Sequence, residues 1–170
     1  SFGKDRPATI AVMNIYDSDF IWPEDAKITN LRVLQILPKS VARRNKPKIG
    51  VAEQSNARAV LGTVPVEADG SVFFEAPVDK LIYFQALDDR GMAVQSMRSA
   101  TYVHAGEQLT CQGCHEPRLR APSIPIQPPL ALRRPPSRIL PDLDGTNPFN
   151  YVRLVQPVLD RHCVDCHRQE

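Results

Sequence analysis

All four cysteines of this 170-residue chain fall in two copies of one short pattern. Cys111-Gln112-Gly113-Cys114-His115 and Cys163-Val164-Asp165-Cys166-His167 both read C-x-x-C-H. Two thiols three positions apart reach the two vinyl groups of a porphyrin, and the next residue sets an imidazole under the iron. The pattern is the attachment site of c-type haem. A zinc site built from two C-x-x-C pairs normally has roughly 15–20 residues between them, whereas 48 intervene here. A redox disulfide of C-x-x-C type belongs beside a βαβ unit, which this chain lacks, and neither alternative requires a His after each pair. The expected cofactors are therefore two covalently bound haem c groups. Cys111, Cys114, Cys163 and Cys166 are their thioether anchors, and His115 and His167 the proximal ligands.

Distal ligands are scarcer. The chain has four histidines, so His104 and His162 remain. His104 precedes the first motif by seven positions and is the candidate distal ligand; His162 reads better as a helix-end surface residue. Met92 and Met97 are sulfur alternatives, although Met in a strand more often fills a core. Only Arg168, Gln169 and Glu170 follow His167, so the second haem needs cover from elsewhere, and the last segment reads as a cytochrome c segment cut short. The chain opens on Ser1 with no Met, as a mature product or an excised piece.

The remainder is patterned as mainly β. Short apolar runs at Thr9–Ile15 and Leu31–Leu37 suit buried strands. Gly62–Ala68 and Ser71–Ala76 flank Asp69-Gly70, the preferred pair for a tight hairpin turn. Lys80–Leu87 and Met92–Val103 follow, separated by Asp88-Asp89-Arg90-Gly91. Short strands with turn signals between them predict a β-sandwich-like domain over residues 1–116. Asp17, Asp19, Glu24 and Asp25 form an acidic loop without the spacing of a calcium loop, and read as a solvated turn. Residues 38–50 form a basic loop.

Texture changes at Glu116. Residues 117–146 are rich in Pro and Arg and exclude regular helix or a central strand. They read as an extended strap, with Arg118, Arg120, Arg133, Arg134 and Arg138 available to pair with haem propionates. Residues 147–170 read as a short helical haem-binding segment, with Asn147-Pro148 as N-cap and first helical residue and Pro157 splitting the helix.

A net charge of +2 argues against a nucleic-acid partner. No apolar run approaches the roughly 20 residues of a membrane-spanning helix. Covalent haem attachment implies a periplasmic or otherwise extracytoplasmic location.

Several separated motifs occur in a recognisable order: Leu61-Gly62-Thr63-Val64-Pro65-Val66-Glu67-Ala68-Asp69-Gly70-Ser71, then Tyr83-Phe84-Gln85-Ala86-Leu87-Asp88, Gln95-Ser96-Met97-Arg98-Ser99, and Gly106-Glu107 leading to Cys111-Gln112-Gly113-Cys114-His115-Glu116. Together they resemble the middle domain of the hydrazine synthase alpha subunit family, over roughly residues 10–122. Residues 149–167 look like the start of the cytochrome c domain that follows in such proteins. The resemblance implies a middle domain with a catalytic haem, in an enzyme joining nitric oxide and ammonium. It also implies a motif His diverted to zinc and a Tyr four residues later on the iron. Here that position is Leu119, and no cysteine precedes Cys111, so His115 is free to be an ordinary proximal ligand. The expected function is a dihaem module for single-electron transfer within a multihaem assembly, with redox proteins or other haem subunits as partners. The alternative is an enzyme with an open haem site acting on small nitrogen or oxygen compounds.

Overall fold

The structure, a computed structural model, describes residues 6–40, 43, 56–116, 119–121, 126–142, 144–145, 147 and 150–167. Most of the basic loop lies outside them, as do Arg118, Pro148 and Phe149.

Among the described residues seven strands form two sheets: β1 (Ala8–Val12), β2 (Asn30–Ile36), β3 (Arg58–Pro65), β4 (Val72–Ala76), β5 (Ile82–Leu87), β6 (Ala93–Ser96) and β7 (Gln108–Cys111). One sheet has the order β4-β1-β7, the other β3-β2-β5-β6. The predicted mainly-β architecture with two layers is what forms. Apolar residues of both inner faces meet in one core: Ile10, Val12, Val72 and Phe74 from the first sheet, Leu31, Val33, Val64, Ile82 and Phe84 from the second. Phe74 and Phe84 meet edge-to-face across the layers, with centroids 5.9 Å apart, a geometry that the ring quadrupoles favour.

The Asp69-Gly70 turn departs from expectation. Its flanking strands do not pair as a hairpin, because β3 belongs to one sheet and β4 to the other. The turn is instead a corner between layers. Gly70 N–H donates to Glu67 O at 2.8 Å, and Glu67 N–H to Ser71 O at 2.9 Å. Of the turn residues only Gly70 takes positive φ, +80°, as in loops that end on a glycine bulge. Pro65, with no N–H to give, sits at the end of edge strand β3, where the missing donor is harmless.

Both free edges on this side of the sandwich receive the Pro/Arg-rich segment. Ser137 exchanges two backbone hydrogen bonds with β4, through Phe73 O and Glu75 N–H, each 2.9 Å. Three residues later Leu140 exchanges two with Thr63 of β3, also 2.9 Å. A 3-10 turn at Leu130–Arg133 is anchored by the corner. Leu130 N–H donates to the Asp69 carboxylate at 2.8 Å, and Ala131 N–H to the Ser71 hydroxyl at 2.9 Å. Burial pushes the Asp69 carboxyl up, but the hydrogen bonds from Leu130 N–H and from the hydroxyl and N–H of Ser71 outweigh it and hold the pKa below its ordinary value. This anchor is therefore at full strength above pH 4 and weakens as acid protonates the carboxylate.

The C-terminal segment splits at proline, as expected, but its cap is Asn150 rather than Asn147. The Asn150 side chain accepts from Arg153 N–H over a π-helical turn at Tyr151–Val155. Pro157 occupies the first turn of α1 (Gln156–His162), where its missing N–H costs nothing. A short α2 (Val164–His167) follows. No residue of these helices is buried.

A candidate haem site at the end of β7

The first motif begins as a strand and ends as a loop. Cys111 is the last residue of β7, paired in parallel with Val12 of β1. From there the loop is sewn onto the chain that leaves β1. Met13 N–H donates to Cys111 O at 2.9 Å, Asn14 N–H to Gln112 O at 3.0 Å, and Asp19 N–H to His115 O at 3.1 Å. Gly113 is required by this closeness. A Cβ there would overlap the Asp17 carbonyl oxygen and lie 3.0 Å from Asn14 O. The Glu116 carboxylate closes the turn by accepting Gln112 N–H at 2.7 Å.

Both thiols face inward. Cys111 and Cys114 line a small apolar pocket of about 60 Å3 at the mouth of the sandwich, with Val12, Leu31, Phe84 and Met97. Burial raises the pKa of both thiols, to about 11 for Cys114; the negative charge of Glu116 adds to the effect on Cys111. Near neutral pH Cys114 thus carries about 100-fold less thiolate than an ordinary thiol of pKa 9.0. In the haem-free chain, iodoacetamide at pH 8 is expected to alkylate exposed Cys163 and Cys166 first. Cys114 labelling should accelerate steeply only as pH approaches 11, read by peptide mass mapping. The fold favours the protonated thiol, so its contribution to stability is whole below pH 9 and is lost as pH rises through 11. It is worth about 2–3 kcal/mol.

His115 lies on the outer side of the loop. Its Nδ1 is hydrogen-bonded to the Asp19 carboxylate, and its ring packs on Phe20 with centroids 4.4 Å apart. Arg98 stands over the other ring of this stack, 5.2 Å from the Phe20 centroid. Asp17 pairs with Arg120. The first half of the acidic loop, Asp17 and Asp19, therefore lies against the motif, whereas Glu24 and Asp25 form an exposed turn, as read from the sequence. Asp19 and Phe20 were not anticipated; contiguity of acid and aromatic in that loop was the only hint.

His104 is not brought to the motif. It precedes β7 at the end opposite Cys111, separated by a four-residue strand about 10 Å long. There its Nδ1 meets the Asp79 carboxylate at 3.2 Å and its ring meets Tyr102. Met97 does reach the thiols' pocket, whereas Met92 is 62% exposed. Cys163, Cys166, His162 and His167 are exposed on the C-terminal helices. The described arginines of the Pro-rich segment have partners within the protein: Arg134 with Glu67 at 2.8 Å, Arg138 with Glu75 at 3.9 Å, and Arg133 with Pro128 O at 2.9 Å. Leu119 is fully exposed.

The donor set fits haem c attachment. Two thiols share one apolar wall, and the imidazole of the next residue, outside that pocket on the outer side of the loop, has its Nδ1 bonded to Asp19 and, among the described residues, no partner at Nε2. The pocket is far below the roughly 300–1,000 Å3 that encloses an organic cofactor, so these residues suit attachment at the sandwich mouth, not engulfment.

A two-layer β domain with a C-x-x-C-H loop on the edge strand defines a class of domain. A family model for the hydrazine synthase alpha subunit middle domain matches residues 26–116, more than half of the chain, which therefore belongs to that family. Over 72 residues it is 36% identical to hydrazine synthase subunit alpha of Kuenenia stuttgartiensis, a match covering 42% of this chain and 9% of that subunit. The solved structure of Kuenenia stuttgartiensis hydrazine synthase shares the fold, with a TM-score of 0.73 at 21% identity, covering 96% of this chain and 30% of that one.

Proposed function

We propose that this chain is the haem-bearing part of a hydrazine synthase alpha-like protein, and that one face of its first haem iron stays open for a small nitrogen or oxygen compound. The observation that carries the reading is the position of His104. Residues 1–116 hold only two histidines. One is in the motif, and the other is tied to Asp79 at the far end of β7. The domain thus offers His115 no second imidazole, in contrast to the paired ligands of a closed electron carrier. Cys111 and Cys114 hold the cofactor, His115 ligates it, and Val12, Phe84 and Met97 keep water from the attachment edge. When bound, the haem supplies redox chemistry and a site for a small ligand. Leu119 leaves the tyrosine of the related enzyme without a counterpart, so the proposal is the substrate class rather than hydrazine formation itself.

Cys163, Cys166 and His167 would carry a second haem, exposed to redox proteins or other haem subunits and suited to electron supply in an extracytoplasmic assembly. A second reading rests on Met97. Its presence beside both thiols would let a His115–Met97 pair close the iron and make the whole chain an electron carrier. Intact mass of the mature protein should show two added haems. Carbon monoxide should then bind the reduced protein at the first haem, with an unchanged spectrum in Met97→Ala. If carbon monoxide binds only after Met97 is removed, the electron-carrier reading replaces the open-site one.

A further inference from the structure

We propose that Asp19 is the positioning residue of His115: it fixes the proton on Nδ1, turns Nε2 towards the metal and lends the ring anionic character. The inference rests on the haem-attachment reading above and assigns a role outside the motif itself. Three contacts converge on this one residue, two of them on its imidazole. The Asp19 carboxylate is bonded to Nδ1, Asp19 N–H is bonded to the carbonyl of His115, and Phe20 packs on the ring. Asp19 therefore grips both backbone and side chain of the same residue across 96 positions of sequence. The segment cannot slide, because Ser18 and His115 form a parallel β-bridge and Gly113 lies against the Asp17 carbonyl.

The chemistry follows from charge. A backbone carbonyl at Nδ1 would orient the ring and do little more. A carboxylate pulls on the Nδ1 proton and makes Nε2 a stronger donor, as in the carboxylate–histidine–metal arrangements that tune bound metals. A stronger donor stabilises the ferric over the ferrous state, so Asp19 would lower the reduction potential of the first haem. Neither Phe20 nor the Arg98 guanidinium beyond it touches Nδ1, which leaves Asp19 as the tuning group.

Asp19→Asn keeps size and hydrogen-bonding ability but removes the charge, and Asp19→Glu restores the charge at a longer reach. In redox titrations of the haem-loaded chain, Asp19→Asn should raise the reduced-to-oxidised ratio of the first haem about tenfold at fixed ambient potential, equivalent to about 59 mV for one electron. Asp19→Glu should stay close to the parent, and the second haem should not respond. An unchanged ratio at the first haem in Asp19→Asn would overturn the proposal. Intact mass separates this from failure of the attachment reading: if no haem is found on Cys111 and Cys114, that reading falls. The positioning role is then decided in the haem-free chain by nitrogen NMR of the His115 ring. A neutral ring protonated on Nδ1 in the parent supports it, and one protonated on Nε2 overturns it.

Discussion

Gly113→Ala is expected to abolish haem attachment at the first motif while leaving the second motif loaded. The added methyl would overlap the Asp17 carbonyl oxygen and sit 2.8 Å from its carbon. Both are backbone atoms, held by Asp17 N–H donating to Asn14 O at 3.0 Å, so neither can rotate aside as a side-chain tip would. Relief must come from lifting the whole Cys111–His115 loop off the Met13–Asp19 segment. That movement removes the Asn14–Gln112 and Asp19–His115 backbone bonds and parts His115 from Asp19 and Phe20. Forced overpacking of this kind costs about 1–3 kcal/mol or more, and the loss is concentrated where two thiols and an imidazole must share one geometry. Intact mass should show one haem in place of two. Full loading of the first motif in this variant would mean that the close approach to Asp17 is dispensable.

Gly62→Ala should be the most destabilising single methyl addition in the β domain. Gly62 sits at the bulge where the register of β2 and β3 shifts between Val33 and Leu34, at φ +138°, a region that side chains with a Cβ rarely enter. A Cβ there would overlap the carbonyl oxygen of Leu140 and come within 2.6 Å of its carbon and 2.7 Å of Ile139 Cγ2. Backbone strain of roughly 1–3 kcal/mol adds to overpacking of similar size, giving about 3–5 kcal/mol. For a chain of this length that is roughly 10 °C or more of melting temperature. The damage should spread in a particular direction. Leu140 is pushed from β3, and Ser137 follows from β4, so amide protons of residues 63, 75, 137 and 140 should lose protection together. Both edges would then be open to pairing with other chains. Loss confined to residue 140 would show that the two edge contacts are independent.

The two C-x-x-C-H motifs were legible because their pattern is local. Thiol spacing and the adjacent imidazole need no knowledge of packing, and the short apolar runs along residues 8–12, 30–36 and 82–87 are a local record of burial. β7 was not legible. Gln108-Leu109-Thr110 carries a single apolar side chain, and its pairing with β1 spans about a hundred residues, which no local pattern records. The corner at Asp69-Gly70 misled for a related reason. A tight turn specifies a reversal of the chain but not whether the returning strand joins the same sheet. Here β4 pairs with β1 and β3 with β2, so the chain crosses from one layer to the other at this corner.

His104 shows the limit most clearly. Seven positions before Cys111 is near in sequence, but those positions include an extended strand, and extension turns closeness along the chain into separation in space. Asp19 is the opposite case, 96 positions from His115 and in direct contact with it. Residue types and spacing by themselves determined two C-x-x-C-H motifs and a mainly β scaffold. Only the tertiary structure decided which histidine stands apart, which carboxylate grips the motif, and how the proline-rich segment covers two sheet edges. Those are contacts between distant segments, set by how two sheets stack and by which strands are left at their rims.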